Sequence, residues 1–235
     1  MILFVKLLLA HFIGDFLLQP NKWVVHKEAN KIKSKYLYFH VLIHFGIAML
    51  LLWDGDLWRW VAIIALSHYV IDLAKLYAAP YFRNSVLLFF MDQSLHILVL
   101  YACAYNANLG EHTAMLLREM DWPLVTAIVF VSFPASIVMA KMLQGMSKRI
   151  ELDHKSLPNA GKYIGILERL FVLVFIILGR WEAIGLLITA KSVFRFNDLK
   201  ESNSRKLTEY ILIGTLLSFG LALVTGIVYL KTVHA

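Results

Sequence analysis

The chain reads as an all-α, polytopic membrane protein, a helical bundle of about eight spans. Three observations predict that class. Of 235 residues, 60% are drawn from Ala, Val, Ile, Leu, Met, Phe, Trp, Tyr and Cys, and 17% are charged, against about 25% charged in soluble domains. Mean hydropathy is +0.67. Apolar runs of the length that spans a bilayer, about 20 residues, alternate with short polar connections from end to end. These features exclude a disordered chain, a disulfide-stapled secreted domain and an ordinary soluble enzyme.

The predicted spans fall near 2–19, 37–53, 57–79, 85–105, 123–143, 162–179, 183–196 and 207–230. The first carries His11 and Asp15 and lacks a small-x-small cleavage site, so it is expected to be a retained helix rather than a leader. The seventh is short and ends in Lys191-Ser-Val-Phe-Arg195, which suits a tilted, interrupted or incomplete crossing. With no long linker and no low-complexity tract, 1–235 reads as one membrane domain, with a His/Asp half at 1–105 and a cationic half at 123–235.

Orientation follows from the loop cations. Connections 20–36, 80–84, 144–161 and 197–206 hold twelve lysines and arginines; 54–56, 106–122, 180–182 and the C-terminal tail hold three. The first set is expected in the cytoplasm and both termini outside. The net charge of +7 is thereby assigned to topology, not to nucleic acid, for which there is no basic soluble module. The basic stretch Lys22 to Lys35 fits the same rule, with contact to anionic lipid as the alternative. The single cysteine, Cys103, excludes an intrachain disulfide and a Cys-based zinc site.

Polar residues inside the first four spans are few and repetitive: His11-x3-Asp15, His40-x3-His44, His68-x3-Asp72 and Asp92-x3-His96. Each is a pair of metal-ligand types at i and i+4, which share a helix face. One such pair is weak; four in successive membrane helices are specific. Given the loop charges, Asp15, His40, Asp72 and Asp92 lie toward the cytoplasm, and His11, His44, His68 and His96 lie about 6 Å deeper. In the other register, His11 and His44 lie level with Asp72 and Asp92. Three unpaired carboxylates would cost on the order of 8–10 kcal/mol in mid-membrane, and a zinc ion returns about 10–16 kcal/mol in small peptides. The eight residues are therefore candidate ligands for one or two divalent ions. Zinc is the first choice, with manganese or iron as alternatives. Asp15, Asp72 and Asp92 double as candidate catalytic bases. The competing reading is a His/Asp hydrogen-bond network that ties helices together.

The second half places Lys141, Glu168, Arg169, Lys191 and Arg195 in or at the ends of spans, all toward the expected cytoplasmic side. Arg and Lys suit a phosphate or carboxylate. With Tyr210, and more weakly Thr215, they form a candidate clamp for an anionic headgroup beside the metal. The competing reading has them snorkelling to the interface or pairing with Glu168.

These motifs, with Phe16-Leu-Leu-Gln19 after Asp15 and Gln93 after Asp92, resemble a bacterial integral membrane family catalogued as domain of unknown function 3307. The resemblance extends to Ala160-Gly-Lys-Tyr-Ile-Gly-Ile-Leu-Glu-Arg169, Ala190-Lys-Ser-Val-Phe-Arg-Phe196 and Tyr210-Ile-Leu-Ile-Gly-Thr215. It implies a multi-pass protein of the bacterial inner membrane and names no reaction. A looser similarity to inner-membrane metal-dependent hydrolases implies hydrolysis by analogy.

The expected function is a metal-dependent hydrolase acting on a lipid-like or anionic-headgroup substrate, a phosphoester or amide, at the cytoplasmic leaflet. The alternatives are an ion, proton or metal transporter, and a scaffold whose His/Asp network is structural. Expected partners are membrane lipid and the headgroup.

Overall fold

The computed structural model describes residues 2–107, 120–147, 160–202 and 205–233. Those residues form α-helices joined by turns, with no strand among them. Five helical segments are long and apolar enough to cross a membrane: Lys35–Leu52, Gly55–Ala78, Ser85–Ala107, Trp122–Met146 and Lys206–Val233. A bent pair, Ile2–Leu17 with Asn21–Lys33, makes a sixth if it counts as one span. The segments at 160–177 and 181–202 are helical but fall outside that set, because Lys162, Glu168, Arg169, Lys191 and Arg195 interrupt their apolar character. The chain is a membrane protein by these lengths and compositions, and it divides into two compact units, Met1–Thr126 and Ala127–Ala235.

The first unit contains α1 (Ile2–Phe12), α2 (Asn21–Asn30), α3 (Lys35–Leu52), α4 (Trp58–Ala78) and α5 (Ser85–Ala107). Helix α1 packs on α3 and α5, α3 on α4, and α4 on α5, closing a ring of four. Their inward stripes repeat every three to four residues, as a buried helix face requires. Along the bundle axis the interior changes character. At one end Leu3, Leu7, Leu52, Val61, Ile64, Leu100 and Ala104 form an apolar core. Toward the other, the same stripes continue as His11, His40, His44, His68, Asp72, Asp92 and His96, all buried. The outward faces carry exposed Leu42, Leu50, Ile63, Leu66, Leu95 and Leu98. Apolar outside and polar inside is the arrangement lipid favours.

The sequence reading departs from the structure in the first span and its connection. The straight helix expected over 2–19 ends at Phe12 and continues as a π-helical turn, Ile13–Leu17. Pro20, which has no N–H to continue the ladder, precedes α2. The stretch 20–36, expected as a connection, holds this ten-residue helix and a 3-10 turn, Lys31–Lys33. Helix α2 turns 84° away from α1. The glycine within this turn has a packing reason. A Cβ on Gly14 would run into the His44 ring, so glycine lets α3 approach here.

The second unit takes in the end of α6 (Trp122–Ser132), α7 (Pro134–Ser147), α8 (Ala160–Ile177), α9 (Trp181–Ser202) and α10 (Arg205–Val233). The fifth predicted span is one membrane-length segment, Trp122–Met146, interrupted for a single residue between α6 and α7, where Pro134 cannot donate to the preceding turn. Helix α10 packs on α8 and α7, and α8 on α9. Val172, Ile176, Ile184, Phe219 and Ala222 form the apolar core. Gly179, at φ +67°, makes the tight turn from α8 into α9. Helix α9 runs to Ser202, past the predicted end at 196. Connections 108–119 and 148–159, on which part of the orientation rests, lie outside the described residues.

Candidate metal centre

Each of the four ring helices delivers its i, i+4 pair to the bundle interior, and the eight residues meet. Four histidines, one per helix, close a circuit of rings: His11–His44 at 5.6 Å between centroids, His44–His68 at 3.9 Å, His68–His96 at 4.1 Å and His96–His11 at 5.2 Å. Asp15, swung inward by the π turn, lies against four imidazoles. Its Oδ1 is 3.0 Å from His44 Nε2, 3.2 Å from His40 Nε2 and 3.5 Å from His68 Nε2. Its Oδ2 is 3.7 Å from His11 Nε2.

This crowd of donors and acceptors suits either a hydrogen-bond network or a metal ion. A neutral imidazole has one N–H. His40 Nε2 and His68 Nε2 face each other at 3.0 Å while both face Asp15, and Gln19 Nε2 donates to His40 Nε2 at 2.9 Å. With Gln19 as donor, His40 Nε2 presents a lone pair toward Asp15 and His68. Three groups have one ligand atom per residue mutually within 4.8 Å: His11, Asp15, His44 and His68; His40, His68 and Asp72; Asp72, Asp92 and His96. These donor sets of nitrogen and carboxylate oxygen fit a divalent transition metal.

Two lysines and two glutamines that the sequence reading left out of the site complete it. Lys27 Nζ, buried on α2, donates to Asp72 Oδ2 at 2.8 Å. Lys75 Nζ, one turn beyond Asp72, donates to Asp92 Oδ2 at 2.6 Å. Gln93 Nε2 bridges Asp15 Oδ2 and Asp92 Oδ2 at 2.9 and 3.2 Å. Gln93 Oε1 in turn lies 3.2 Å from His11 Nε2. Lys75 carried a signal, being a cation inside an apolar helix. Lys27 carried none, since it sits among the topology-setting lysines. Of the three carboxylates, Asp15 is the one that no lysine or arginine meets among the described residues.

A family model for a protein of unknown function, DUF3307, matches residues 3–124. The chain belongs to the DUF3307 family. The match covers every His and Asp of the centre and ends before α8, so the motifs at 160–169, 190–196 and 210–215 lie outside the matched residues. No curated protein and no solved structure matches the chain.

The cationic residues of the second unit also come together. Lys141, Glu168, Arg169, Lys191 and Tyr210 line one cavity of about 680 Å³, with Thr215 and Ser218. The side chain of Arg195 lies outside the described part. Lys191 is paired with Glu168. Arg169 is buried and donates to Val131 O at 2.6 Å, to Ser136 Oγ at 2.6 Å and to Ser218 Oγ at 3.1 Å. Those bonds fix the guanidinium within the protein, so Arg169 orients the cavity wall as well as lending it charge.

Proposed function

We propose that the chain is a membrane-embedded, metal-dependent hydrolase of the bacterial inner membrane, acting on a lipid-like substrate with an anionic headgroup at the cytoplasmic leaflet. In this reading the helices cross the membrane about eight times, with α8 and α9 as the less apolar crossings. The observation that carries the proposal is the convergence of four imidazoles on the Asp15 carboxylate, which no lysine or arginine neutralises among the described residues. His11, Asp15, His44 and His68 would hold the ion, zinc first and manganese or iron as alternatives. When bound, such an ion polarises a phosphoryl or carbonyl oxygen and makes water a nucleophile near neutral pH.

The chain's own groups have the remaining tasks. Asp72 or Asp92 takes the proton that water loses as its oxygen bonds to the phosphoryl or carbonyl centre. The same proton then passes to the leaving oxygen or nitrogen as that bond breaks. Gln93 and the lysines hold these carboxylates in place. Access from the polar end of the bundle is consistent with the 34% exposure of the Lys75 side chain and the 11% exposure of Asp15. Within the second unit, Lys141, Lys191, Arg169 and Tyr210 line a cavity whose charge suits an anionic group. The apolar core beyond the histidine circuit argues against the transport alternative, because a conducted ion needs polar partners along its whole path.

The test is elemental analysis of detergent-purified protein, followed by phosphorus NMR of phospholipid vesicles containing it. A transition metal at one equivalent or more, and headgroup release that a chelator stops, is the expected result. Absence of bound metal after reconstitution with zinc and manganese would overturn the reading.

A further inference from the structure

The group Asp72, Asp92 and His96 is unlike the Asp15 group in one respect: its carboxylates already have cations. Lys27 holds Asp72 Oδ2 and Lys75 holds Asp92 Oδ2. Its remaining donors are nevertheless set out for a ligand. His96 Nδ1 donates to the backbone carbonyl of Asp92 at 2.9 Å. That bond fixes the tautomer and turns the Nε2 lone pair inward, the orientation that metal-binding histidines take from a carbonyl partner. His96 Nε2 and Asp92 Oδ1 are both buried and both lack a hydrogen-bond partner, while His96 and Asp92 are each only 3% exposed. Two orphaned acceptors are costly to bury, and they belong to residues that, with Asp72, each offer a ligand atom within 4.8 Å of the others.

We infer that Asp72, Asp92 and His96 form a second, exchangeable site for a divalent transition metal, held weaker than the Asp15 site by the ammonium groups of Lys27 and Lys75. An arriving dication must displace or sit beside two ammonium groups hydrogen-bonded to the Asp72 and Asp92 oxygens, whereas among the described residues no lysine or arginine is paired directly with Asp15. Coulomb repulsion across a partly buried site of a few ångströms makes the second affinity weaker by on the order of 100-fold or more. Lys27 stands on α2, the helix beyond the 84° bend, so loading of the second ion is coupled to where that helix lies. Without a second ion the aspartates accept the lysine hydrogen bonds; with one they become its ligands. This inference rests on the reading that the Asp15 group holds metal.

The experiment is equilibrium dialysis of the full chain in detergent against manganese and, separately, zinc, with bound metal counted by plasma mass spectrometry. Wild type should show one tight equivalent and a second that appears only at about 100-fold higher free metal. His96→Ala should erase the weak phase and leave the tight equivalent; His44→Ala should do the reverse. Lys27→Met/Lys75→Met should strengthen the second phase by at least about tenfold. Two equivalents of equal affinity in wild type, or a weak phase that survives His96→Ala, would overturn the inference. The His96→Ala comparison decides the matter even if the lysine variant does not fold. Absence of bound metal in every protein would bring down the Asp15 reading and this one together. One tight equivalent with no second phase would remove only the second site.

Discussion

The two units treat buried charge in opposite ways. In the first, among the described residues, three aspartates, a ring of imidazoles and two lysines leave Asp15 without a lysine or arginine partner and His96 Nε2 and Asp92 Oδ1 without hydrogen-bond partners. In the second, a guanidinium is buried among neutral acceptors, Val131 O and the hydroxyls of Ser136 and Ser218. A buried carboxylate surrounded by lone pairs is stabilised by a metal ion. A buried guanidinium at a cavity wall is stabilised by an anion. Under the proposed reading, the same cost of burying charge in an apolar medium calls for opposite ligand types in two halves of one chain.

The largest effect should come from the centre itself. Asp15→Asn is expected to drop bound metal from about one equivalent to background, because the neutral amide removes the only anionic ligand of that group; elemental analysis against wild type checks it. The His68→Ala/Asp72→Ala double variant should lose metal and turnover while remaining monodisperse on size exclusion. If both proteins keep their metal, the first unit is a hydrogen-bond network and the contrast between the halves disappears.

Gly14→Ala tests the packing that brings α1 and α3 together. Its Cβ runs into the His44 ring, and overpacking of this kind costs about 1–3 kcal/mol. A lower thermal midpoint with reduced metal occupancy is expected, and an unchanged midpoint would mean that the π turn yields freely.

Arg169→Met sharpens the other side. Three acceptors lose a charged donor, and leaving them buried and unpaired costs about 1–3 kcal/mol, read as a fall in thermal midpoint. Stabilisation of wild type by anionic over zwitterionic phospholipid should also be lost. Destabilisation with that preference intact would make Arg169 a purely structural residue. Smallest of all should be Lys191→Ala. Its pair with Glu168 is partly exposed, at 24% and 13% of the side chains, and partly exposed pairs are worth about 1 kcal/mol or less. Loss of the lipid preference with almost no change in midpoint would assign Lys191 to the ligand.

The sequence by itself determined the class of the protein and the membership of the centre. Apolar runs of bilayer length announce membrane helices because nothing else in lipid satisfies the backbone. The i, i+4 pairs announce shared faces because helical geometry is local. For that reason the eight ligand types, and Lys141, Glu168, Arg169, Lys191 and Tyr210 around one cavity, were legible without coordinates. Tertiary structure alone decided the rest. The need for glycine at position 14 depends on His44 arriving beside it, a contact between residues thirty positions apart that no local pattern records. Lys27 reads as one loop cation among five until the bend carries α2 to Asp72. Which carboxylate lacks a lysine or arginine partner among the described residues is a property of those distant pairings. Periodicity fixes which residues face inward; only packing fixes which of them meet.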